Sequence, residues 1–270
     1  MGACKLHLEN EVIMRIHLFV TLFVMNIFVF VFWPVTAQEI VFTKAAQIQG
    51  KEPGWHTGIR SIAAVDMNGD DLLDIVSMNQ IEIVLRINTG SDFLRTVVSP
   101  TEHLHLAGNF AIADFNNDKF PDIAYTEQGE PLYNDGRVSL LVNNGNAEFT
   151  YLEIDPDYTG ARPIRSVDMD NDGDMDIVVS AVYQFGLLDC ETIWYENLGN
   201  LQFEAHLIDQ YLQGAIDMDV GDIDQDGDID ILWGDVNASH FCWFENDGNQ
   251  NFTRVPVEIS HDEIYSSVLR

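Results

Sequence analysis

Val167-Asp168-Met169-Asp170-Asn171-Asp172-Gly173-Asp174-Met175-Asp176-Ile177 decides the fold of this chain. Aspartates occupy the first, third, fifth and ninth places of the loop that begins at Asp168, with glycine at the sixth. Alternate spacing lets a tightly curled loop aim every second side chain inward, so that oxygens converge. Three other segments align with it. They are Val65-Asp66-Met67-Asn68-Gly69-Asp70-Asp71-Leu72-Leu73-Asp74-Ile75, Ala113-Asp114-Phe115-Asn116-Asn117-Asp118-Lys119-Phe120-Pro121-Asp122-Ile123 and Gly221-Asp222-Ile223-Asp224-Gln225-Asp226-Gly227-Asp228-Ile229-Asp230-Ile231. The first aspartates fall at 66, 114, 168 and 222, giving periods of 48, 54 and 54. Self-similarity at such a period marks a repeat architecture.

A second landmark runs in phase with the first. An Asn-x-Gly turn followed by phenylalanine recurs as Asn88, Gly90, Phe93; Asn143, Gly145, Phe149; Asn197, Gly199, Phe203; and Asn246, Gly248, Phe252. Glycine supplies the positive φ that a tight hairpin needs. Each repeat reads as four short strands: an apolar run into the loop, a second strand such as Asp176 to Ser180, a third such as Thr192 to Glu196, and a fourth that begins at the phenylalanine. No 3.6-residue apolar periodicity is sustained after the N-terminal apolar run. The expected fold is all-β, a β-propeller of four-stranded antiparallel blades. The equivalent residues Leu85, Leu140, Trp194 and Trp243 are expected to pack between neighbouring blades rather than to stack on a sugar.

The loops read as cation sites. The ligand sets are Asp66, Asn68, Asp70, Leu72 and Asp74; Asp114, Asn116, Asp118, Phe120 and Asp122; Asp168, Asp170, Asp172, Asp174 and Asp176; and Asp222, Asp224, Asp226, Asp228 and Asp230. In each set the seventh-place residue offers its backbone carbonyl and the others offer side-chain oxygens. Hard oxygen donors in a flexible cage suit Ca²⁺, about four ions in all, better than octahedral Mg²⁺. The absence of His and Cys argues against zinc. An EF-hand would need glutamate at the twelfth place, which holds Ser77, Tyr125, Val179 or Trp233. The third and fourth loops carry four ligand carboxylates each. The first two carry three, because Asn68 and Asn116 stand at the third place, and they hold Asp71 and Lys119 where glycine is usual at the sixth.

With these loops and turns, residues 39 to 270 resemble the FG-GAP/VCBS repeat, the blade unit of the integrin α-chain propeller and of many secreted bacterial proteins. The third and fourth repeats match best, including Trp194-Tyr195-Glu196-Asn197 and Trp243-Phe244-Glu245-Asn246. The resemblance implies calcium in interstrand loops and, in the best-known members, a ring of seven blades. It implies no single function, since such repeats occur in adhesion modules, lectins and enzymes.

Charge and targeting narrow the setting. The chain has 270 residues, with 13 Lys+Arg against 44 Asp+Glu, a formal net charge of −31. Such a surface repels nucleic acid and attracts cations. Arg15 precedes an apolar run from Ile16 to Trp33, and Val35-Thr36-Ala37 offers small residues for cleavage, so residues 1–37 read as a signal peptide, with an uncleaved membrane anchor as the other reading. Cys190 and Cys242 read as small buried hydrophobes, with pairing in an oxidising compartment as the other reading.

The organisation expected is an N-terminal outer strand and linker at 38–58 and blades at 59–104, 105–158, 159–212 and 213–258. Residues 259–270 would begin a further blade, making the ring incomplete and leaving unpaired blade edges for self-association. The functional expectation is a secreted or cell-surface scaffold with structural calcium that binds an extracellular protein or carbohydrate. The alternative is the propeller portion of a secreted polysaccharide-acting enzyme, a lyase or hydrolase. No GxSxG, HExxH or P-loop is present, and the histidines share no place in the repeat.

Overall fold

A computed structural model describes residues 58–99, 107–129, 136–181, 190–212, 215–235 and 241–257. The N-terminal apolar run, the cleavage motif, His103, His105 and the C-terminal segment from 258 lie outside the described residues. No helix among the described residues is long and apolar enough to cross a membrane.

Among the described residues, sixteen strands form four antiparallel meanders. The first blade holds β1 (Ser61–Val65), β2 (Asp74–Met78), β3 (Ile83–Asn88) and β4 (Phe93–Val97); the second holds β5 (Ala107–Ala113), β6 (Asp122–Glu127), β7 (Arg137–Asn143) and β8 (Phe149–Asp155). The third holds β9 (Ala161–Val167), β10 (Asp176–Ala181), β11 (Cys190–Asn197) and β12 (Phe203–Leu212); the fourth holds β13 (Ala215–Gly221), β14 (Asp230–Asp235), β15 (Phe241–Asn246) and β16 (Phe252–Val257). Each outer strand begins at the phenylalanine that follows an Asn-x-Gly turn. Each second strand begins at the ninth residue of an aspartate loop. The sheets do not close on one another, and they stand as propeller-like blades of an open array.

Burial follows from stacking blade on blade. β6 and β10 are buried at every residue, because a neighbouring blade covers each face. Their sequences, Asp-Ile-Ala-Tyr-Thr-Glu and Asp-Ile-Val-Val-Ser-Ala, therefore show no polar alternation after the first residue. One core cluster joins Met67, Val76, Met78, Ile83 and Leu85 of the first blade to Ala107, Ile123, Tyr125 and Leu141 of the second. A larger one runs through the second, third and fourth blades and includes Trp194, Trp233, Phe244, Cys190 and Cys242. Polar contacts cross the same joints. Tyr195 donates to Asp155 at 2.7 Å, the Trp233 indole donates to Ser180 at 3.2 Å, and Arg165 pairs with Asp217 and Asp219 at 3.0 and 3.3 Å.

Each blade is tied internally by one buried carboxylate. Asp74, Asp122, Asp176 and Asp230 are at most 1% exposed. One oxygen of each accepts the second-place amide of its own loop (Met67, Phe115, Met169 or Ile223), always at 3.0 Å. The other accepts the amide of Asn88, Asn143, Asn197 or Asn246 at 2.7, 2.7, 2.8 and 2.9 Å. Those asparagines in turn donate Nδ2 to the eighth-place carbonyls of Leu73, Pro121, Met175 and Ile229 at 3.1–3.2 Å. Loop and turn, far apart in sequence, are thereby held at one end of the blade.

Removing this carboxylate strands two buried N–H donors. At roughly 1.5 kcal/mol for each bond to a charged acceptor, Asp176→Ala should cost about 3 kcal/mol. About that much should remain lost in excess chelator, where no ion contributes, as read by urea denaturation. A loss that vanishes in chelator would mean that Asp176 acts on stability only through a metal.

Candidate metal centres

The four loops share one backbone path. The first aspartate accepts amides from the fifth and sixth places: Asp168 Oδ1 from Asp172 at 3.1 Å and Oδ2 from Gly173 at 3.1 Å, Asp222 from Asp226 and Gly227 at 3.1 and 3.2 Å. Asp114 accepts from Asp118 and Lys119 at 3.1 and 2.7 Å, and Asp66 from Asp70 and Asp71 at 3.2 and 2.7 Å. The third-place side chain accepts the fifth-place amide, and the fifth-place carboxylate accepts the seventh, as in Asp172 to Asp170 at 3.2 Å and Asp174 to Asp172 at 2.8 Å. These bonds curl the loop and aim the odd-numbered side chains inward.

The curl needs left-handed backbone twice. At the sixth place Gly173 and Gly227 take φ of 98° and 102° at little cost, while Asp71 and Lys119 are held at 67° and 77°. The fourth place is left-handed too, at Gly69, Asn117, Asn171 and Gln225, with φ from 60° to 73°. The glycine and asparagines there carried that signal in the sequence, since both types tolerate this region; Gln225 carried none.

The third and fourth loops gather the most charge. Ligand oxygens of Asp168, Asp170 and Asp172 lie within 4.8 Å of one another, as do those of Asp222, Asp224 and Asp226. Desolvation, then the neighbouring carboxylates of Asp172, Glu196 and Asp168, push the Asp170 carboxyl above its ordinary range. Asp224 and Asp228 move in the same direction, with desolvation first and nearby aspartates after it. An all-oxygen, all-anionic set at this spacing fits a divalent calcium ion, which would relieve the repulsion.

The first two loops are built differently. Asn68 Nδ2 donates to Asp70 at 3.1 Å, and Asn116 Nδ2 donates to Asp118 at 2.9 Å. The amide thus offsets part of the carboxylate charge from within the protein. At Asp66 desolvation raises the carboxyl, but four backbone amides outweigh it and hold the group below its ordinary value. A cation entering these loops gains less and must displace the amide donor.

Two candidate ligands carry second duties. The ninth-place carboxylates are the buried ties described above. Burial raises Asp122 and Asp176 to about 6 against the pull of two backbone amides each. Each oxygen holds one amide bond and keeps its remaining lone pair for an ion. At the seventh place, the Asp174 side chain turns away to accept Asn117 of the second loop, which leaves its carbonyl for the ion and links adjacent loops. Trp194 is 4% exposed and stacks on His206 at 4.6 Å, so its ring serves packing.

The difference in donor sets ranks the sites. Asp168→Ala or Asp222→Ala should remove more calcium affinity than Asp66→Ala. Replacing Asn68 by aspartate, which removes the internal donor, should tighten the first loop. Titration calorimetry reads both effects, and a first loop tighter than the third would reverse the ranking.

Residues 114–179 match the family model of the FG-GAP-like repeat. The matched stretch starts at the first aspartate of the second loop and ends within β10, so it spans one whole period and the loop that opens the next. No curated protein matches the chain. The chain carries an FG-GAP-like repeat at 114–179, and the same loop, turn and four-stranded sheet recur in phase in four copies among the described residues.

Proposed function

We propose that the chain is a secreted or cell-surface binding scaffold whose aspartate loops hold structural calcium. The observation that carries this reading is the convergence of three carboxylates within 4.8 Å in the third loop and again in the fourth, with no cationic side chain of the same loop to offset them. A net charge of −31 favours the same ion and disfavours nucleic acid as a partner. The signal-like segment at 1–37 is the ground for secretion.

The ligand of such a scaffold is an extracellular protein or a carbohydrate. It would dock at the end of the blades opposite the metal loops, where the inner strands begin. Arg60 and Arg162, each six residues before its loop, stand there without a carboxylate partner among the described residues. Desolvation and then the charge of Arg162 weaken the hold of Arg60 on its proton. A partner bearing carboxylates would relieve both.

The enzyme reading has one foothold. A cleft of about 280 Å³ between the third and fourth blades is lined by Asp170, Glu196, His206, Asn249 and Gln250 among others, and His206 Nε2 lies 2.7 Å from Glu196. The second carboxylate there, Asp170, belongs to the third metal loop, and the imidazole is committed to a stack with Trp194.

Two measurements test the proposal. In excess chelator the melting temperature should fall, and calcium should restore it, because an ion at 100 times its Kd adds about 2.7 kcal/mol per site. An unchanged melt would refute structural calcium. Incubation with acidic and neutral polysaccharides should release no reducing ends or unsaturated sugars. Product that disappears in Glu196→Gln would establish the enzyme instead.

A further inference from the structure

Because the repeats are in phase, one place can be compared across the three joints between described blades. It lies between the third strand of one blade and the Asn-x-Gly turn of the next. At the first joint Leu85 and Ile87 of the first blade share one apolar cluster with Ala147 and Phe149 of the second. At the second joint Leu140, Val142 and Leu152 share one with Leu201 and Phe203.

The third joint breaks this pattern. Trp194 pairs with His206 in the register in which Leu140 pairs with Leu152, and Glu196 precedes its turn asparagine as Val142 does. Gln250 holds the place of Leu201 in the turn of the fourth blade. Glu196, His206 and Gln250 therefore stand where the second joint has Val142, Leu152 and Leu201. All three line the cleft of about 280 Å³ between the third and fourth blades. Polar groups in a joint cost stability relative to apolar ones unless hydrogen bonds compensate them. The packed joints beside this one show that the fold itself does not require them.

Much of the polar capacity in the cleft is unused. Glu196 Oε2 lies 2.7 Å from His206 Nε2, so the imidazole fixes the carboxylate while Oε1 has no partner among the described residues. The Gln250 amide makes no hydrogen bond among the described residues, which leaves both a donor and an acceptor. Leu207, 53% exposed, and the half-buried Phe252 give the same cleft an apolar flank.

These groups select a ligand. Hydroxyls donate to Glu196, a hydroxyl or ring oxygen accepts from Gln250, and ring C–H groups lie against Leu207 and Phe252. The volume is at the small end for ligand pockets, which suits one sugar ring and not the surface of a folded protein. Asp170 and Glu196 line the cleft and no lysine or arginine does, so an acidic sugar is repelled. A lysine side chain would satisfy the carboxylates but leave the Gln250 N–H unmatched.

We propose that the cleft between the third and fourth blades binds one neutral sugar ring, with Glu196 and Gln250 as its polar contacts and His206 as the residue that positions Glu196. This site stands at the loop end of the blades, apart from Arg60 and Arg162, and is additional to the docking surface proposed there.

The test is saturation-transfer difference NMR on the full chain in calcium. The probes are methyl α-mannoside, methyl β-galactoside and methyl β-glucoside, with Nα-acetyl-lysine amide as the cationic comparison. At least one hexoside should receive saturation, and the lysine derivative should not. Gln250→Leu copies the second joint and should abolish the transfer without lowering the melting temperature. The near-isosteric Glu196→Gln, which leaves the joint polar, should weaken binding about tenfold, as loss of one charge-assisted hydrogen bond does. Transfer to no hexoside, transfer to the lysine derivative alone, or transfer unchanged in both variants would overturn the proposal. Transfer that survives both and disappears in Arg60→Ala would place the sugar at the other end of the blades, which overturns this site and keeps the scaffold reading.

Discussion

A carboxylate buried at the ninth place of every loop is the constraint on which the rest depends. It costs free energy to desolvate, as the raised Asp122 and Asp176 show, and only two well-made amide bonds at each site offset that cost. Those bonds fix the second residue of the loop and the asparagine of the turn to one point. The loop then has a defined start and end, its intervening amides fold onto the first aspartate, and the odd-numbered side chains face inward. The same asparagine closes the blade and, in the second and third blades, reaches the blade before it. One repeated acid thus sets local shape, blade closure and blade stacking.

Electrostatics then divides the four loops into two kinds. In the third and fourth, like charges crowd with only backbone dipoles to hold them, so an external cation would complete the site. In the first two, an asparagine amide does part of the cation's work. The sixth-place residue sharpens the contrast. Glycine accepts the left-handed turn freely, whereas Asp71 and Lys119 take it under the restraint of their amide bonds to the first aspartate. Affinity for calcium and ease of folding without it should therefore run in opposite order along the chain.

Much of this was legible in the sequence because two markers recur at one period. The Asp-rich loops and the Asn-x-Gly turns placed the starts of the second and outer strands, since Asp176 and Phe203 open β10 and β12 as their spacing implies. The twelfth-place residues Ser77, Tyr125, Val179 and Trp233, none of them the glutamate that an EF-hand needs, lie in strands. The dual role of Asp176 was not legible, because a ligand and a buried amide acceptor are spelled with the same letter. Nor was the donation from Asn68 to Asp70, since asparagine at the third place reads equally as a neutral ligand.

The central claim is that calcium completes loops held open by a tie that needs no metal. Hydrogen exchange followed by mass spectrometry, with and without chelator, tests it most directly. Chelation should expose the amides of Asp170 to Asp174 and of Asp224 to Asp228, while those of Met169, Ile223, Asn197 and Asn246, bound to the buried carboxylates, stay protected. Protection lost at both sets together, or unchanged at both, would contradict it.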